Sequence, residues 1–232
     1  MPVAIITGAS RGLGRALAGA LAERGWDLVV DARSAEELKR AEGELAVRTR
    51  VAALPGDVVD PRHRVELVSA AWDFGGLDLL VNNASALGAE PLRRLSGHPL
   101  EGLRTALETN VVAALGLVQE ALPLLRRRRG AVLNISSDAA VEAYPTWGGY
   151  GASKAALERL SAVLAVEEPE LRVWWLDPGD MRTALYAAAV PDDPDADRRP
   201  APESVVPAVL GLLDGGAASG RHVAPAPPEA GR

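Results

Sequence analysis

The chain contains no cysteine and only three histidines, and these shortages narrow its chemistry. Without cysteine there can be no disulfide, no thiolate metal site and no cysteine nucleophile, and a reducing cytoplasm is the expected setting. His63, His98 and His222 lie far apart in sequence and lack metal-ligand spacing. Packing or surface roles are therefore expected for them, and no metal site is predicted.

Long hydrophobic runs are also missing. The apolar run Val111–Val118 is too short to span a bilayer, and the start of the chain lacks the basic flank of a signal peptide. The formal net charge of -6 disfavours non-specific binding to nucleic acid. The composition therefore predicts a cytoplasmic protein with neither a membrane nor nucleic acid as partner.

Short β-branched runs alternate with longer Ala/Leu-rich segments, which is the pattern of βαβ units. With 232 residues and 48% apolar content, residues 1–232 fit a single α/β domain: a doubly wound (Rossmann) parallel sheet of about seven strands with helices on both faces. Strands are predicted at Val3–Ile6, Asp27–Ala32, Val51–Leu54, Leu77–Val81, Ala131–Ile135 and Leu171–Leu176. A helix is predicted at Gly12–Arg24, and two long helices are predicted at Pro99–Arg127 and Gly148–Val166.

Two segments depart from this alternation. Residues 185–202 are rich in Pro, Asp and Arg, which predicts a mobile loop beside the substrate, with Tyr186 at its start as part of a lid. Residues 224–232 have the composition of a frayed tail.

A glycine-rich turn follows the first predicted strand. Thr7–Gly14 reads TGASRGLG, with glycines spaced G-x-x-x-G-x-G where a strand passes into a helix. Glycines at such a junction let the backbone approach a pyrophosphate, whose charge is stabilised by free N–H groups at the helix start. A plain tight turn without a ligand is the alternative interpretation.

A second group of residues has the spacing of an acid–base site. Tyr150 and Lys154 are four residues apart on a predicted helix and so share one face. Ser137 follows a predicted strand at its carboxyl end, the edge where open α/β sheets bind ligands. Tyr144 and Trp147 lie between Ser137 and Tyr150 and are candidates to line a substrate cleft.

Taken together, these motifs resemble the short-chain dehydrogenase/reductase family over nearly the whole chain. Thr7–Gly14 matches its T-G-x-x-x-G-x-G turn, and Asn82–Ser85 matches its N-N-A-G element except that Ser85 replaces glycine. The Pro178-Gly179 pair with Thr183 matches its P-G-x-x-x-T segment.

The resemblance implies a catalytic tetrad of Asn110, Ser137, Tyr150 and Lys154. It implies that Lys154 binds the nicotinamide ribose and that Asn110 holds a water linking Lys154 to solvent. Asp57-Val58 corresponds to the pair beside the adenine, and Pro178-Gly179 to the segment that holds the carboxamide. The expected cofactor contacts are Gly8, Ser10, Arg11, Gly12, Leu13, Gly14, Arg33, Ser34, Asp57, Val58, Asn83, Ala84, Tyr150, Lys154, Pro178, Gly179 and Thr183.

The residues near the end of the second strand bear on the choice of nicotinamide cofactor. NAD-binding members usually place a carboxylate there for the ribose 2′-OH, but that position is Ala32. Asp31 is one residue too early, and strand alternation directs it to the opposite side. Arg33 and Arg11 offer guanidinium groups to a 2′-phosphate, with no carboxylate expected among them. This predicts NADP(H) over NAD(H), unless both arginines are surface residues without a ligand.

The sequence thus predicts an NADP(H)-dependent oxidoreductase that interconverts a small carbonyl compound and a secondary alcohol. Tyr150 is the expected acid/base, with its pKa lowered from about 10 to about 7 by Lys154 and the oxidised nicotinamide. A homodimer or homotetramer through the two long helices is expected, since Val111, Leu115 and Val118 form an apolar stripe. Two alternatives remain open: a non-catalytic NADP(H)-sensing module, and an isomerase or dehydratase with a retained cofactor.

Overall fold

The computed structural model describes residues 1–224, which form one α/β unit around a single sheet. All seven strands run parallel, in the order β3-β2-β1-β4-β5-β6-β7. They are β1 (Val3–Ile6), β2 (Asp27–Ala32), β3 (Val51–Pro55), β4 (Leu79–Asn82), β5 (Ala131–Ile135), β6 (Arg172–Asp177) and β7 (Gly220–Val223). The predicted doubly wound parallel sheet is confirmed.

Helices cover both faces of the sheet because alternate strand residues carry apolar side chains to each side. One face, with Ile6 and Val30, packs on helices α1, α2 and α8. The other, with Ile5 and Val29, packs on α3 and α5. The helices are α1 (Gly12–Glu23), α2 (Ala35–Leu45), α3 (Pro61–Asp73), α4 (Leu100–Leu107), α5 (Ala114–Arg128), α6 (Gly148–Glu167), α7 (Ala184–Ala189) and α8 (Val206–Asp214).

The strand order reverses between β1 and β4, and ligands bind at such a switch point in open α/β sheets. The turns that follow β1 and β4 are hydrogen-bonded to each other. The Thr7 hydroxyl accepts hydrogen bonds from the N–H groups of Asn83 and Ala84, each at 3.0 Å, and the Asn83 side-chain amide donates to the Thr7 carbonyl at 2.8 Å. The crevice at this edge therefore has fixed walls.

Three segments differ from the sequence-based expectations. The predicted helix Pro99–Arg127 is divided by a π-helical turn at Glu108–Ala113, between α4 and α5. The predicted mobile loop, residues 185–202, contains most of α7, whose N-cap Thr183 accepts a hydrogen bond from Tyr186 N–H.

The predicted frayed tail begins at a packed residue. Ala224 is buried in the core, and its N–H donates to the Asp177 carbonyl at 2.8 Å, because the chain leaves β7 alongside β6. Residues 225–232 lie outside the described part of the chain. Within residues 1–224, no helix is both long enough and apolar enough to cross a membrane, and no cluster of metal-ligating side chains is present.

Candidate active site

A cleft of about 1360 Å³ opens at the carboxyl edge of the sheet over the switch point. It brings together the glycine turn, the acid–base residues and the segment after β6, which are far apart in sequence. Of the predicted site residues, those lining the cleft are Gly8, Ser10, Arg11, Gly12, Leu13, Arg33, Ser34, Asp57, Val58, Asn83, Ala84, Ser137, Tyr150, Lys154, Pro178, Gly179 and Thr183. Gly14 and Asn110 do not line it and lie behind its walls.

The glycine turn needs glycine for two different reasons. Gly8 and Gly12 have φ values of +65° and +57°, in the left-handed region that other residues rarely adopt. Gly14 instead permits a close approach: a Cβ there would lie 2.6 Å from the Gly8 carbonyl oxygen and 2.5 Å from the Asn83 side-chain nitrogen. The lack of a side chain at Gly14 therefore lets α1 pack closely against the turn, whereas Gly8 and Gly12 line the cleft.

A buried pair of side chains, Asp31 and His63, supports the same turn. Asp31 accepts a hydrogen bond from Gly8 N–H at 2.7 Å through one oxygen, and its second oxygen lies 3.1 Å from His63 Nε2. The bond to Asp31 raises the pKa of His63. Asp31 does lie on the face opposite to Ala32, as alternation predicts, but His63 is paired with it and is not an isolated packing residue.

The wall beyond the turn carries both arginines and also a carboxylate that the sequence-based account omitted. Arg11 and Arg33 line the cleft with exposed side chains. Glu37, in the first turn of α2, lines it too, with one carboxylate oxygen 3.9 Å from the Arg11 guanidinium and the other accepting from the Ser10 hydroxyl at 3.3 Å. The expectation of a wall free of carboxylates is therefore wrong, because a residue on the next helix reaches back to the glycine turn.

Tyr150 and Lys154 lie side by side on the cleft-facing side of α6, and both are buried. The Lys154 ammonium is 5.5 Å from the centre of the Tyr150 ring and donates a hydrogen bond to the Ile135 carbonyl at 2.7 Å. Burial lowers the pKa of Lys154 to about 8. Burial also raises the pKa of Tyr150 above its usual value, which is opposite in direction to the lowering expected when the cofactor is bound.

Ser137 follows β5 and opens into the same cleft. Its hydroxyl donates to Asp138 Oδ1 at 2.9 Å and accepts from Ala139 N–H at 3.2 Å. The neighbouring Ser136 is almost fully buried, and its hydroxyl donates to Glu158 at 2.5 Å. Ser136 is therefore a structural hydroxyl, whereas Ser137 can turn its proton toward a ligand by rotation of the hydroxyl.

Asn110 lies in the π-helical turn, buried behind Ser85 and Ala86. Its side-chain nitrogen donates to the Ala86 carbonyl at 2.9 Å and to Ser153 at 2.8 Å, while its oxygen accepts from Ala86 N–H and the Ser85 hydroxyl. Every hydrogen-bonding position of the side-chain amide is occupied. A water at this residue would have to bind the main chain, and π-helical turns often mark functional sites.

An ionic network underlies the Ser137 loop. Arg221 of β7 donates to Glu158 at 3.0 Å and to Asp177 at 3.3 Å, and Asp177 also accepts from Gly179 N–H at 3.0 Å. The network joins the segments after β5 and β6, which form two walls of the cleft. No spacing in the sequence indicates it, because its members come from three separate elements.

The other half of the cleft is largely apolar. Trp147 packs edge-on against Tyr150, with ring centres 5.7 Å apart, in a cluster that includes Leu87 and Ala189. Tyr144 lines the cleft as well, with a partly exposed side chain. Beside Tyr150, therefore, there is room for an organic molecule with an apolar body.

Tyr186 of α7 lines one side of this apolar half and contacts residues that follow the helix. The Tyr186 hydroxyl donates to Asp193 at 2.7 Å, and Arg199 pairs with both Asp193 and Asp180 at 3.1 and 3.0 Å. Burial raises the pKa of Tyr186 to about 12. The segment predicted as a loop is thus tied to Asp180, next to Gly179.

Comparisons with known proteins agree with this architecture. The family model for short chain dehydrogenases matches residues 2–194. The chain is 35% identical over 185 residues to serine 3-dehydrogenase from Rhizobium radiobacter, covering 77% of this chain and 72% of that protein. An alcohol dehydrogenase from the archaeon Thermococcus sibiricus, solved in complex with 5-hydroxy-NADP, is 29% identical with a TM-score of 0.87, covering 96% of this chain and 95% of that one.

A short chain dehydrogenase structure from Shigella flexneri in complex with NADP is 27% identical, with a TM-score of 0.87 over 96% of this chain and 95% of that one. The protein described here belongs to the short-chain dehydrogenase/reductase family of oxidoreductases.

Gly14→Ala tests the close approach between α1 and the glycine turn. The new methyl group would overlap the Gly8 carbonyl, so we expect a loss of about 1–3 kcal/mol in the free energy of unfolding, measured by urea denaturation. Gly19→Ala is the matched control on the same helix, because a Cβ there meets nothing within 4 Å and should stabilise α1 by up to about 1 kcal/mol. Equal stabilities of the two variants would contradict this packing.

Lys154→Met tests the cost of the buried ammonium. Because burial lowers the pKa of Lys154 from 10.5 to about 8, the native protein releases this proton at lower pH than the unfolded chain does. The stability of the Lys154→Met variant relative to wild type should therefore fall by about 3 kcal/mol between pH 7 and pH 10.5, as measured by denaturation at each pH. The exposed Lys39 is the control, and Lys39→Met should give a nearly flat difference. A flat profile for both variants would contradict the burial.

Proposed function

We propose that this short-chain dehydrogenase uses NADP(H) to interconvert a small carbonyl compound and a secondary alcohol, with Tyr150 as the acid/base. The observation that carries the proposal is the position of Tyr150 and Lys154. Both are buried on one side of α6, 5.5 Å apart from ring centre to ammonium, in the same cleft as the glycine turn. A phenol beside an ammonium group, next to a nucleotide-sized crevice, suits proton exchange with an alcohol oxygen.

The residues along the cleft fit a dinucleotide. The left-handed Gly8 and Gly12 keep the turn open beside the start of α1, where N–H groups favour a pyrophosphate. Asp57 and Val58 would flank the adenine, and the Pro178–Thr183 segment would hold the carboxamide. When bound, the nicotinamide exchanges hydride with the substrate carbon and, in its oxidised form, carries positive charge.

Tyr150 would protonate the carbonyl oxygen during reduction and take the proton back during oxidation. A positively charged ammonium beside the Tyr150 ring favours the phenolate over the neutral phenol. Lys154 would thus oppose the effect of burial on Tyr150. Its charged form predominates below pH 8, because burial lowers its pKa to about 8.

Ser137 would donate a hydrogen bond to the substrate oxygen, where negative charge grows. To do so, its hydroxyl must turn away from Asp138, which accepts its proton at 2.9 Å. Asn110 would contribute through its main chain to a water-linked path from Lys154 to solvent, since its side chain is fully bonded.

The preference for NADP(H) is proposed on Arg11 and Arg33, which line the expected 2′-phosphate region. Two structural relatives are described as complexes with NADP or 5-hydroxy-NADP, in keeping with this choice.

We also propose a homodimer or homotetramer in the cytoplasm, joined through the two segments predicted as long helices, which are α4 with α5 and α6. Leu100 at the start of α4 is 68% exposed, and Val112 in the π-helical turn between α4 and α5 is 49% exposed. Val118 does not belong to that surface, because it is buried against the sheet. Sedimentation of Val112→Glu, with wild type as reference, tests whether the exposed apolar side chains hold subunits together.

Tyr150→Phe removes only the reacting hydroxyl. In a survey of carbonyl compounds followed by nicotinamide absorbance, we expect turnover to fall by at least about 100-fold, because general acid–base catalysis is lost. Affinity for NADPH, followed by its fluorescence, should change by less than about twofold. Retained turnover in the variant would refute the acid/base assignment. If the wild-type protein binds nucleotide but turns over no compound, a sensing module is favoured. If nucleotide copurifies with the protein and the reaction causes no net redox change, an isomerase or dehydratase is favoured.

Arg33→Ala removes one guanidinium from the expected phosphate region. We expect NADPH affinity to fall by about tenfold or more while NADH affinity is nearly unchanged, because only NADPH carries the extra phosphate. Arg40→Ala is the matched control, as Arg40 is exposed on α2, pairs with Glu36 and does not line the cleft. Equal losses for both nucleotides would show that the cofactor preference is wrong.

A further inference from the structure

The carboxylate of Glu37 has an unusual place in the nucleotide cleft. Ser34 caps α2, with its hydroxyl accepting from Glu37 N–H at 3.3 Å, so Ser34 and Glu37 have the S-x-x-E spacing of a capping box. In that motif the glutamate normally turns back to the N–H of the capping serine. Here the Glu37 carboxylate reaches across the cleft wall to Ser10 and Arg11 in the glycine turn.

These contacts occupy groups that suit a phosphate. The Ser10 hydroxyl donates to one oxygen of Glu37, and the Arg11 guanidinium lies 3.9 Å from the other. Arg33 lines the same wall, and no ion pair to it is found within residues 1–224. Glu37 thus partly neutralises Arg11. It also places a negative charge where a phosphate bound to Ser10 and Arg11 would lie.

We infer that Glu37 is a specificity-determining residue of the nucleotide site, which narrows the preference for NADP(H) over NAD(H) by competing with the ribose 2′-phosphate for Ser10 and Arg11. The inference rests on the proposed function, because it needs a dinucleotide in this cleft. A 2′-phosphate carries nearly two negative charges at neutral pH, whereas a 2′-hydroxyl carries none, so a nearby carboxylate acts on one cofactor only.

Glu37→Gln is the direct test, since it removes the charge and keeps the size of the side chain. The probes are adenosine 2′,5′-bisphosphate and 5′-AMP, which differ only in the 2′-phosphate, with affinities measured by calorimetry at low salt. We expect the ratio of the two affinities to shift toward the bisphosphate by about tenfold, the effect of one nearby carboxylate on a doubly charged group in a water-like dielectric.

Glu36→Gln is the matched control. Glu36 precedes Glu37 on the same helix turn, has an 88% exposed side chain, pairs with Arg40 and does not line the cleft. The Glu36→Gln substitution removes the same charge from the same helix. It should leave the ratio of the bisphosphate and 5′-AMP affinities within about twofold of wild type. Thermal melting of both variants checks that folding is unchanged.

The outcomes separate the inference from the function on which it rests. An unchanged ratio in Glu37→Gln, a shift toward 5′-AMP, or an equal shift in Glu36→Gln would overturn the role of Glu37 while leaving nucleotide binding intact. If wild type binds neither probe, nor NADPH nor NADH, the proposed function itself fails. A shift confined to Glu37→Gln supports the inference.

Discussion

A buried ammonium group organises the candidate site. Lys154 is 2% exposed, and its ammonium is held by one main-chain carbonyl, that of Ile135. Burial without a carboxylate partner makes the charged form costly, and the fall of its pKa to about 8 expresses that cost. The same burial puts a positive charge beside the Tyr150 ring with little water to screen it. The Ile135 carbonyl at the end of β5 holds Lys154, and apolar packing around Tyr150 keeps the two groups together.

The nucleotide end of the cleft is governed by a different balance of charge. Positive guanidinium groups and helix N–H groups favour phosphates there, while Asp31 and Glu37 place negative charge close behind them. Asp31 is buried, which raises its pKa, and it is paired with His63 and accepts from Gly8 N–H, so it shapes the turn. Glu37 faces the cleft itself. Two carboxylates that line the same cleft thus have different effects, because Asp31 is buried beside His63, whereas Glu37 is partly exposed and contacts Ser10 and Arg11.

Local patterns predict the fold, which the structure confirms, and they single out candidate residues that the structure brings into one cleft. The glycine spacing and the four-residue step from Tyr150 to Lys154 involve only residues close together in the chain. Both patterns can therefore be recognised in the sequence alone. The pairs that escaped prediction are distant in sequence: Glu37 and Ser10 are 27 residues apart, Asp31 and His63 are 32 apart, and Arg221 and Glu158 are 63 apart. The S-x-x-E spacing at Ser34 is typical of a helix start, but it does not indicate that the glutamate turns away from the capping serine. The π-helical turn was missed because one extra residue in a helix barely alters its apolar periodicity.

The ionisation of Tyr150 is the most direct test of this account. It can be followed as the ultraviolet difference between wild type and Tyr150→Phe during a pH titration, with and without saturating NADP+. In the protein alone, we expect a pKa of Tyr150 above the usual tyrosine value, because burial raises it. With NADP+ bound, the added positive charge beside a poorly solvated phenol should lower it by at least about two units. An identical titration in the two states would contradict the placement of this phenol in a nicotinamide site.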